Sequence, residues 1–392
     1  MKQELNQAYL KHIRFIYKKA TKSEKKVILD QAEYVTGLSR KRIIRIMSSK
    51  TTPSVRPPGR PKLYTYDIEE HLLKLYTMME RICPKRMKEA IPIWIDSYEA
   101  HFGGLDELTR EKLLDVSAST IGRILKRNEA RLKGKSSTRV NHKIKQAIPI
   151  KRLDEEVTKP GTVQADTVAH CGNSLAGEFI NTVTVTDIFT GWTENRASWT
   201  KHSDHIRPAL EKIENAFPFE FRNFDTDCGS EFLNYKIMSY FERNKSRKYR
   251  VKMRRSRPYK KNDQCYVEQK NYTHVRNLFA YDRLDDFYLV ALMNEIYEDY
   301  WNPFNNYFLP SFKLERKVRV GGRIKKYYDQ PKTPAQRILD HQKTPSETKR
   351  KIRSDLVRLD PIELKQGLEE KLTEFYTALK RIKMTRRTQV AS

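Results

Sequence analysis

Cysteine is scarce in this chain, with four in 392 residues at Cys83, Cys171, Cys228 and Cys265 and no C-x-x-C pair. That spacing excludes a structural zinc finger and a disulfide framework, and it fits a reducing, intracellular setting. There is no long apolar run and no strongly amphipathic basic anchor, so no membrane partner is expected. The opening residues, MKQELNQAYLKHIRF, lack the charged start, apolar middle and small-residue cleavage site of a secretory signal. No phosphate-binding Walker sequence occurs, so the chain itself is not expected to hydrolyse ATP. Acidic residues are also in short supply: 49 Asp and Glu stand against 77 Lys and Arg, a net charge of +28. So large an excess repels itself, and a polyanion relieves it. Nucleic acid is the leading partner, ahead of an anionic membrane surface.

At roughly 100–200 residues per domain, the length allows two to four domains. Residues 1–50 carry apolar side chains at helical spacing: Tyr9, Ile13, Ile16 and Tyr17, then Val27, Ile28 and Ala32. Gly37 then permits a tight turn, and Ser39 can cap a helix that buries Ile43, Ile44 and Met47 and exposes Arg40, Arg42 and Arg45. This is the grammar of a helix-turn-helix whose second helix reads a major groove. An ordinary helical hairpin with a solvated basic face shows the same pattern. Residues 51–66 are a Pro/Arg-rich linker. In it, Gly59-Arg60-Pro61 resembles the core of an AT-hook, an extended segment that puts an Arg into a narrow minor groove, although a semi-rigid spacer reads the same way. Residues 67–135 are helical, and near their end the turn-then-basic-helix pattern returns. There Ser117 or Ser119 is the cap, Ile121, Ile124 and Leu125 face inward, and Arg123 and Lys126 face outward. A basic connector covers 136–157.

From about residue 160 the pattern turns to strands. Thr162–Ala169, Glu178–Asp187, Trp192–Trp199 and Phe219–Thr226 read as four of them, with a fifth inside 248–253. Helices are expected over 202–216, 230–243 and about 262–280. The order β-β-β-α-β-α-β-α is that of an RNase H-like fold, so the core over 158–300 is expected to be α/β with a mixed five-stranded sheet. Over 301–392 a small basic β-hairpin around Gly321-Gly322 is followed by a helical tail, with Leu364, Leu368, Leu372 and Phe375 on one face. The chain as a whole is thus expected to be multidomain, with α-helical N-terminal domains ahead of the α/β core.

Three carboxylates stand at telling places. Asp166 is in the middle of the first strand, Asp227 ends the fourth, and Glu268 is on the long helix. In an RNase H-like sheet the first and fourth strands are neighbours and the helix crosses near their ends, so the three are expected to converge, although three carboxylates picked from 49 acidic residues read the same way. Hard oxygen ligands of this kind suit Mg²⁺ or Mn²⁺, two ions per site. Asp225 is a rival for the second position, because alternation puts it on the same side of its strand as Asp227. Asp187, beside a turn, reads as a solvated carboxylate. His170 and Cys171 lack matching partners and read as structural.

The local sequences around these carboxylates carry a family resemblance. Thr226-Asp227-Cys228-Gly229-Ser230-Glu231-Phe232 resembles the T-D-N-G-S-x-F segment of retroviral integrases and insertion-sequence transposases. The run from Arg257-Pro258-Tyr259 to Glu268 resembles their P-Y-x-P-x-x-x-x-x-x-E segment, and the strand with Asp166 their W-x-x-D-x-T strand. Cys228 stands where Asn is usual, and Lys-Lys-Asn replaces a proline near 260–262. The resemblance spans about 160–300. It implies a transposase/integrase of the DDE type whose catalytic, metal-holding residues are Asp166, Asp227 and Glu268. The paired upstream units and Pro331-Lys332-Thr333-Pro334 look like bacterial insertion-sequence transposases. Such enzymes act on double-stranded DNA, at the element's terminal inverted repeats and at a target, as a homodimer or larger assembly, in the bacterial cytoplasm at the nucleoid. A retired DNA-binding protein on this fold, or a nuclease that cuts without joining, are the alternatives.

Next to the expected site, residues 247–261 hold nine Lys or Arg, with Tyr249 and Tyr259 interleaved. Arg250, Lys252, Arg254, Arg255, Arg257, Lys260 and Lys261 are candidate phosphate contacts, and Lys270 on the catalytic helix is another. A solvated basic loop is the other reading.

Overall fold

The computed structural model describes residues 2–48, 64, 66–128, 157–226, 231–242, 250–255, 264–320 and 322–391. Arg60, Asp227, Arg257, Lys260 and Lys261, with most of the 51–66 linker and of the 136–157 connector, lie outside these residues, as does the side chain of Arg255. The chain divides into two compact units, 1–63 and 64–392.

The first unit holds three helices, α1 (Lys2–Lys19), α2 (Lys22–Thr36) and α3 (Arg40–Ser48). Thr21 and Glu24 form a reciprocal cap at the start of α2, and Gly37 ends it in the left-handed region at φ 66°. The core is Leu10, Ile13, Leu29, Ala32, Ile43 and Met47. Ile44, expected inside, is 40 % exposed. Ile43 and Met47, four residues apart, already define the buried stripe, and Ile44 lies about 100° round the helix from the first of them.

The second unit starts with α4 (Tyr66–Met78), α5 (Pro84–Phe102), α6 (Glu107–Asp115) and α7 (Ala118–Arg127). Ser117 is the cap of α7, accepting from the Thr120 N–H, and Ile121, Ile124 and Leu125 are buried as expected. These helices do not form a module with a core of their own. Their apolar faces join the same core cluster as the sheet, and Trp94, fully buried, donates its indole N–H to the Phe308 carbonyl at 3.1 Å.

The sheet comprises β1 (Thr162–Ala169), β2 (Asn181–Asp187), β3 (Thr193–Ser198), β4 (Asn223–Thr226) and β5 (Lys252–Arg255). Its order is β3-β2-β1-β4-β5. The β1–β2 and β2–β3 pairs are antiparallel, and the β1–β4 and β4–β5 pairs are parallel. This is a mixed five-stranded sheet in a mostly helical chain, with β1 and β4 adjacent, compatible with the core expected from the sequence. β4 begins later than expected because Phe217, Phe219 and Phe221 pack as an aromatic cluster instead of extending the strand. Gly161 starts β1 at φ 108°, where an added Cβ would stand 2.7 Å from the Glu220 carbonyl.

Helix α8 (Ser203–Ala216) follows β3, and α9 (Tyr235–Glu242) follows β4. The long helix is α10 (Cys265–Lys270), continued by a π-helical turn at Asn271–Arg276 and a last piece at Asn277–Phe279. Beyond it, α11 (Tyr288–Glu295) runs on through π-helical segments Ile296–Trp301 and Phe304–Phe308. Three amides from this stretch close the outer edge of β3. Asn294 and Asn306 each exchange two hydrogen bonds with the backbone of Ala197 and Thr193, and Asn302 donates to the Asn195 carbonyl. An edge that would otherwise template another strand is thereby satisfied within the chain.

The remainder is a hairpin of β6 (Leu314–Val320) and β7 (Arg323–Tyr328), then α12 (Pro334–Asp340), α13 (Ser346–Arg358) and α14 (Pro361–Ala391). Leu364, Leu368, Phe375 and Leu379 bury the face of α14 against the body, with Leu372 packed beside them. No helix among the described residues is long and apolar enough to cross a membrane.

Candidate active site

Asp166 is half-buried in the middle of β1. Its Oδ1 accepts from the Thr167 N–H at 2.7 Å, and its Oδ2 from the Asn271 side-chain amide at 2.6 Å. Two positions back, Gln164 Oε1 accepts from the backbone N–H groups of Tyr266 and Val267, at 3.2 and 3.4 Å. These are donors of the first turn of α10, which need a partner outside the helix. The same face of β1 therefore fixes both the start of α10 and the turn where its π-helical segment begins. Glu268, exposed, lies between these anchors and three residues before Asn271, a spacing that places the two on one side of a helix.

In the parallel pairing, Ala165 is opposite Thr226, the last residue of β4. Asp166 follows the one and Asp227 the other. Asp227 itself lies outside the described residues. Asp225, its rival, is committed elsewhere. It faces Arg254 across the β4–β5 pair and accepts from that guanidinium twice, at 2.6 and 2.8 Å. Two parallel N–H···O bonds give such a pair both energy and direction.

Oxygen donors are the kind a hard divalent cation takes. Asp166 and Glu268 offer only oxygen, and the buried Oδ1 of Asn271, beside Asp166, has no hydrogen-bond partner among the described residues. His170 does not belong to this set. It is fully buried, its Nε2 is 2.9 Å from Thr182 Oγ1, and burial together with the Arg276 charge holds its pKa down to about 3. Among the described residues no three His, Cys, Asp or Glu form a metal-sized group.

The candidate phosphate contacts divide into three sets. Arg42, Arg45, Arg123, Lys126, Lys252 and Arg250 are exposed, the last paired to Glu242 at 2.8 Å. Arg40 and Arg254 are engaged by Asp30 and Asp225. Lys270 is turned inward. Its ammonium lies 3.4 Å from His274 Nε2, and burial, with the charges of Arg86 and Arg337, lowers its pKa to about 8.

Two carboxylates behave differently from what the sequence implies. Asp187 is not solvated. The turn after β2 folds back over the start of β1, so Asp187 is fully buried and accepts from Gly161, the Thr190 N–H and the Thr190 hydroxyl at 2.7–2.8 Å. Burial pushes its pKa up to about 6. Glu231 has no sequence signal that marks it as functional, although it sits inside the Gly229-Ser230-Glu231-Phe232 segment. It accepts from the Thr167 hydroxyl at 2.8 Å and Lys201 at 3.3 Å. Burial pushes its carboxyl up, but its own backbone N–H, Thr167 and Lys201 outweigh this and hold it below the usual range. It thus ties the segment after Asp227 to the residue after Asp166.

No protein-family model matches the chain. Over 328 residues it is 36% identical to the uncharacterized protein y4rM of Sinorhizobium fredii (strain NBRC 101917 / NGR234), covering 82% of this chain and 91% of that protein. The chain belongs to the y4rM family. Two solved structures are also similar. The catalytic core domain of BIV integrase matches with a TM-score of 0.23 and 15% identity over 31% of this chain and 70% of that one. The simian T-cell lymphotropic virus intasome in complex with PP2A regulatory subunit B56 gamma matches with a TM-score of 0.28 and 14% identity, over 47% and 60%.

Proposed function

We propose that this chain is a DDE-type DNA transposase of the insertion-sequence kind, which cuts the 3′ ends of its own element and joins them to target DNA. The observation that carries this reading is the anchoring of α10 on β1. Asp166 is bonded to Asn271, Glu268 is three residues away on the same helix, and Asp227 follows the β4 residue in register with Ala165.

Asp166, Asp227 and Glu268 would hold Mg²⁺ or Mn²⁺, two ions per site. When bound, such ions activate an oxygen nucleophile and stabilise the leaving oxygen of a phosphodiester. The chain's own part is positioning. Asn271 fixes the Asp166 carboxylate, Gln164 fixes the entry of α10, and Arg254 withdraws Asp225 from competition. Arg42 and Arg45 on α3, and Arg123 and Lys126 on α7, are exposed cations suited to the phosphates and bases of the element ends. Joining two ends requires at least two copies of the chain on the DNA.

The test is cleavage and strand transfer on a labelled duplex carrying the flanking ends of the gene's own locus, with Mg²⁺ or Mn²⁺. Wild type should give nicked and joined products. Asp166→Asn, Asp227→Asn and Glu268→Gln should each lower turnover at least about 1,000-fold while end binding persists, and Asp225→Asn should retain turnover. Nicks without joined products would make the chain a nuclease. End binding with no chemistry at all would make it a DNA-binding protein on this fold.

A further inference from the structure

The β6–β7 hairpin does not belong to the site described above, and its composition is one-sided. Within the two strands Arg316, Lys317, Arg319, Arg323, Lys325 and Lys326 stand against a single acid, Glu315. Its strands pair only with each other, and nearly every residue of both is exposed. A two-stranded ribbon with no sheet or helix over it is marginal in water.

In the register of the ribbon, Lys317 is directly opposite Lys326, and Val318, Val320 and Ile324 are opposite Lys325, Arg323 and Arg319. Alternation puts Arg316, Arg323 and Lys325 on one face and Lys317, Arg319 and Lys326 on the other, so neither face is suited to packing on protein. Near the turn, Val320 is 61% and Ile324 58% exposed.

The root, by contrast, is tightly built. Ser311 and Lys332 exchange two backbone hydrogen bonds, the Asp329 N–H donates to the Lys313 carbonyl while its Oδ1 accepts from the Lys313 N–H, Arg337 bonds both Asp329 and the Ser311 carbonyl, and Arg86 bonds the Pro310 carbonyl. Lys313 also donates to the Phe189 carbonyl at 3.0 Å. A firm base thus holds out a ribbon that is marginal by itself.

We propose that the β6–β7 ribbon is a duplex-DNA grip, laying cations from both faces against phosphates while Val320 and Ile324 meet sugars or base edges. Charge complementarity selects the occupant: phosphates neutralise the Lys317–Lys326 pair and the facing cations together. A major groove about 12 Å wide admits a two-stranded ribbon. The inference rests on the DNA-processing reading of the candidate active site.

The experiment uses the full chain and a 30-bp duplex without element ends, with binding followed by anisotropy between about 50 and 300 mM salt. Wild type should show a steep loss of affinity with salt. Changing Lys317, Arg319, Arg323, Lys325 and Lys326 together to Gln should flatten the log–log slope by about 3 to 4, at about 0.9 for each phosphate no longer neutralised. Lys326→Glu separates grip from folding, because it pairs with Lys317 and favours the ribbon while repelling phosphate. It should weaken binding about tenfold with an unchanged unfolding midpoint. An unchanged slope in the five-fold variant overturns the proposal, as does a slope that changes only together with the mass of a self-assembled particle in sedimentation. Wild type that cuts and joins, beside a five-fold variant of unchanged slope, removes the ribbon's role alone. A flattened slope beside wild type that never cuts or joins keeps the ribbon and removes the transposase reading.

Discussion

Asn271 has the most exposed consequence of any single residue here. Its amide N–H₂ is spent on Asp166, while its oxygen is buried without a partner among the described residues. A buried unsatisfied oxygen costs about 1–3 kcal/mol, so its retention beside a carboxylate calls for a reason. Under the proposed function Asn271 is a positioning residue, holding the Asp166 carboxylate that would take the cation. Asn271→Ala is therefore expected to lower turnover about 10- to 100-fold, the usual size for a residue that orients a metal ligand. It should also shift the Mg²⁺ or Mn²⁺ requirement to higher concentration, with end binding unchanged. A metal titration of the cleavage reaction reads this directly, and an unshifted midpoint would assign Asn271 to packing alone. The part of the site visible in the sequence is the part set by strand and helix order: Asp166 mid-strand, Glu268 on the crossing helix. Asn271 is not visible there, because nothing in its neighbourhood marks an amide that reaches back to β1.

At the scale of elements, the same division recurs. β1 is legible from its sequence because Val163 and Ala165 alternate with Thr162, Gln164 and Asp166 and the β-branched Thr167 and Val168 follow, and the structure places it at the expected bounds, Thr162–Ala169. The helices of 66–128 are legible as helices but not as part of the core. An amphipathic pattern shows which face is buried, not what covers it. What covers it is the stretch after α11, where Trp94 meets Phe308 and its ring stands edge-on to Phe304 at 5.7 Å. Trp94→Ala should cost about 3–5 kcal/mol through the cavity alone. Because the core is shared, urea unfolding of this variant should shift helical circular dichroism and the fluorescence of the remaining Trp192, Trp199 and Trp301 together. Two separate transitions, with only the helical one moved, would show that 66–128 is an independent domain.

For the whole molecule, buried titrating groups set the response to acid, and they oppose one another. His170 stays neutral down to about pH 3 and His274 well below its usual value, both chiefly through burial. Unfolded histidines take up protons near pH 6.5, so acidification below that point favours unfolding. Asp187 and Glu194 act the other way. Burial raises them to about 6 and about 7, so in the folded chain they take up protons that unfolded carboxyls bind only near pH 4. Over roughly pH 6.5 to 4.5 the two histidines and the two carboxyls offset each other, and stability should be nearly level. Below about pH 4 the unfolded carboxyls protonate too and the offset ends, while Glu231, Asp285 and Asp360, whose pKa values are lowered in the fold, begin to lose their charge. Stability should then fall steeply. Glu194→Gln removes one half of the compensation. Its unfolding free energy from urea denaturation should decline between pH 6.5 and 4.5 at about 1.4 kcal/mol per pH unit, the slope of one uncompensated proton, where wild type stays level. If the variant is as level as wild type, Glu194 does not take up its proton in that window, and the hydrogen bonds from Trp192 and Asn302 hold it as a carboxylate instead.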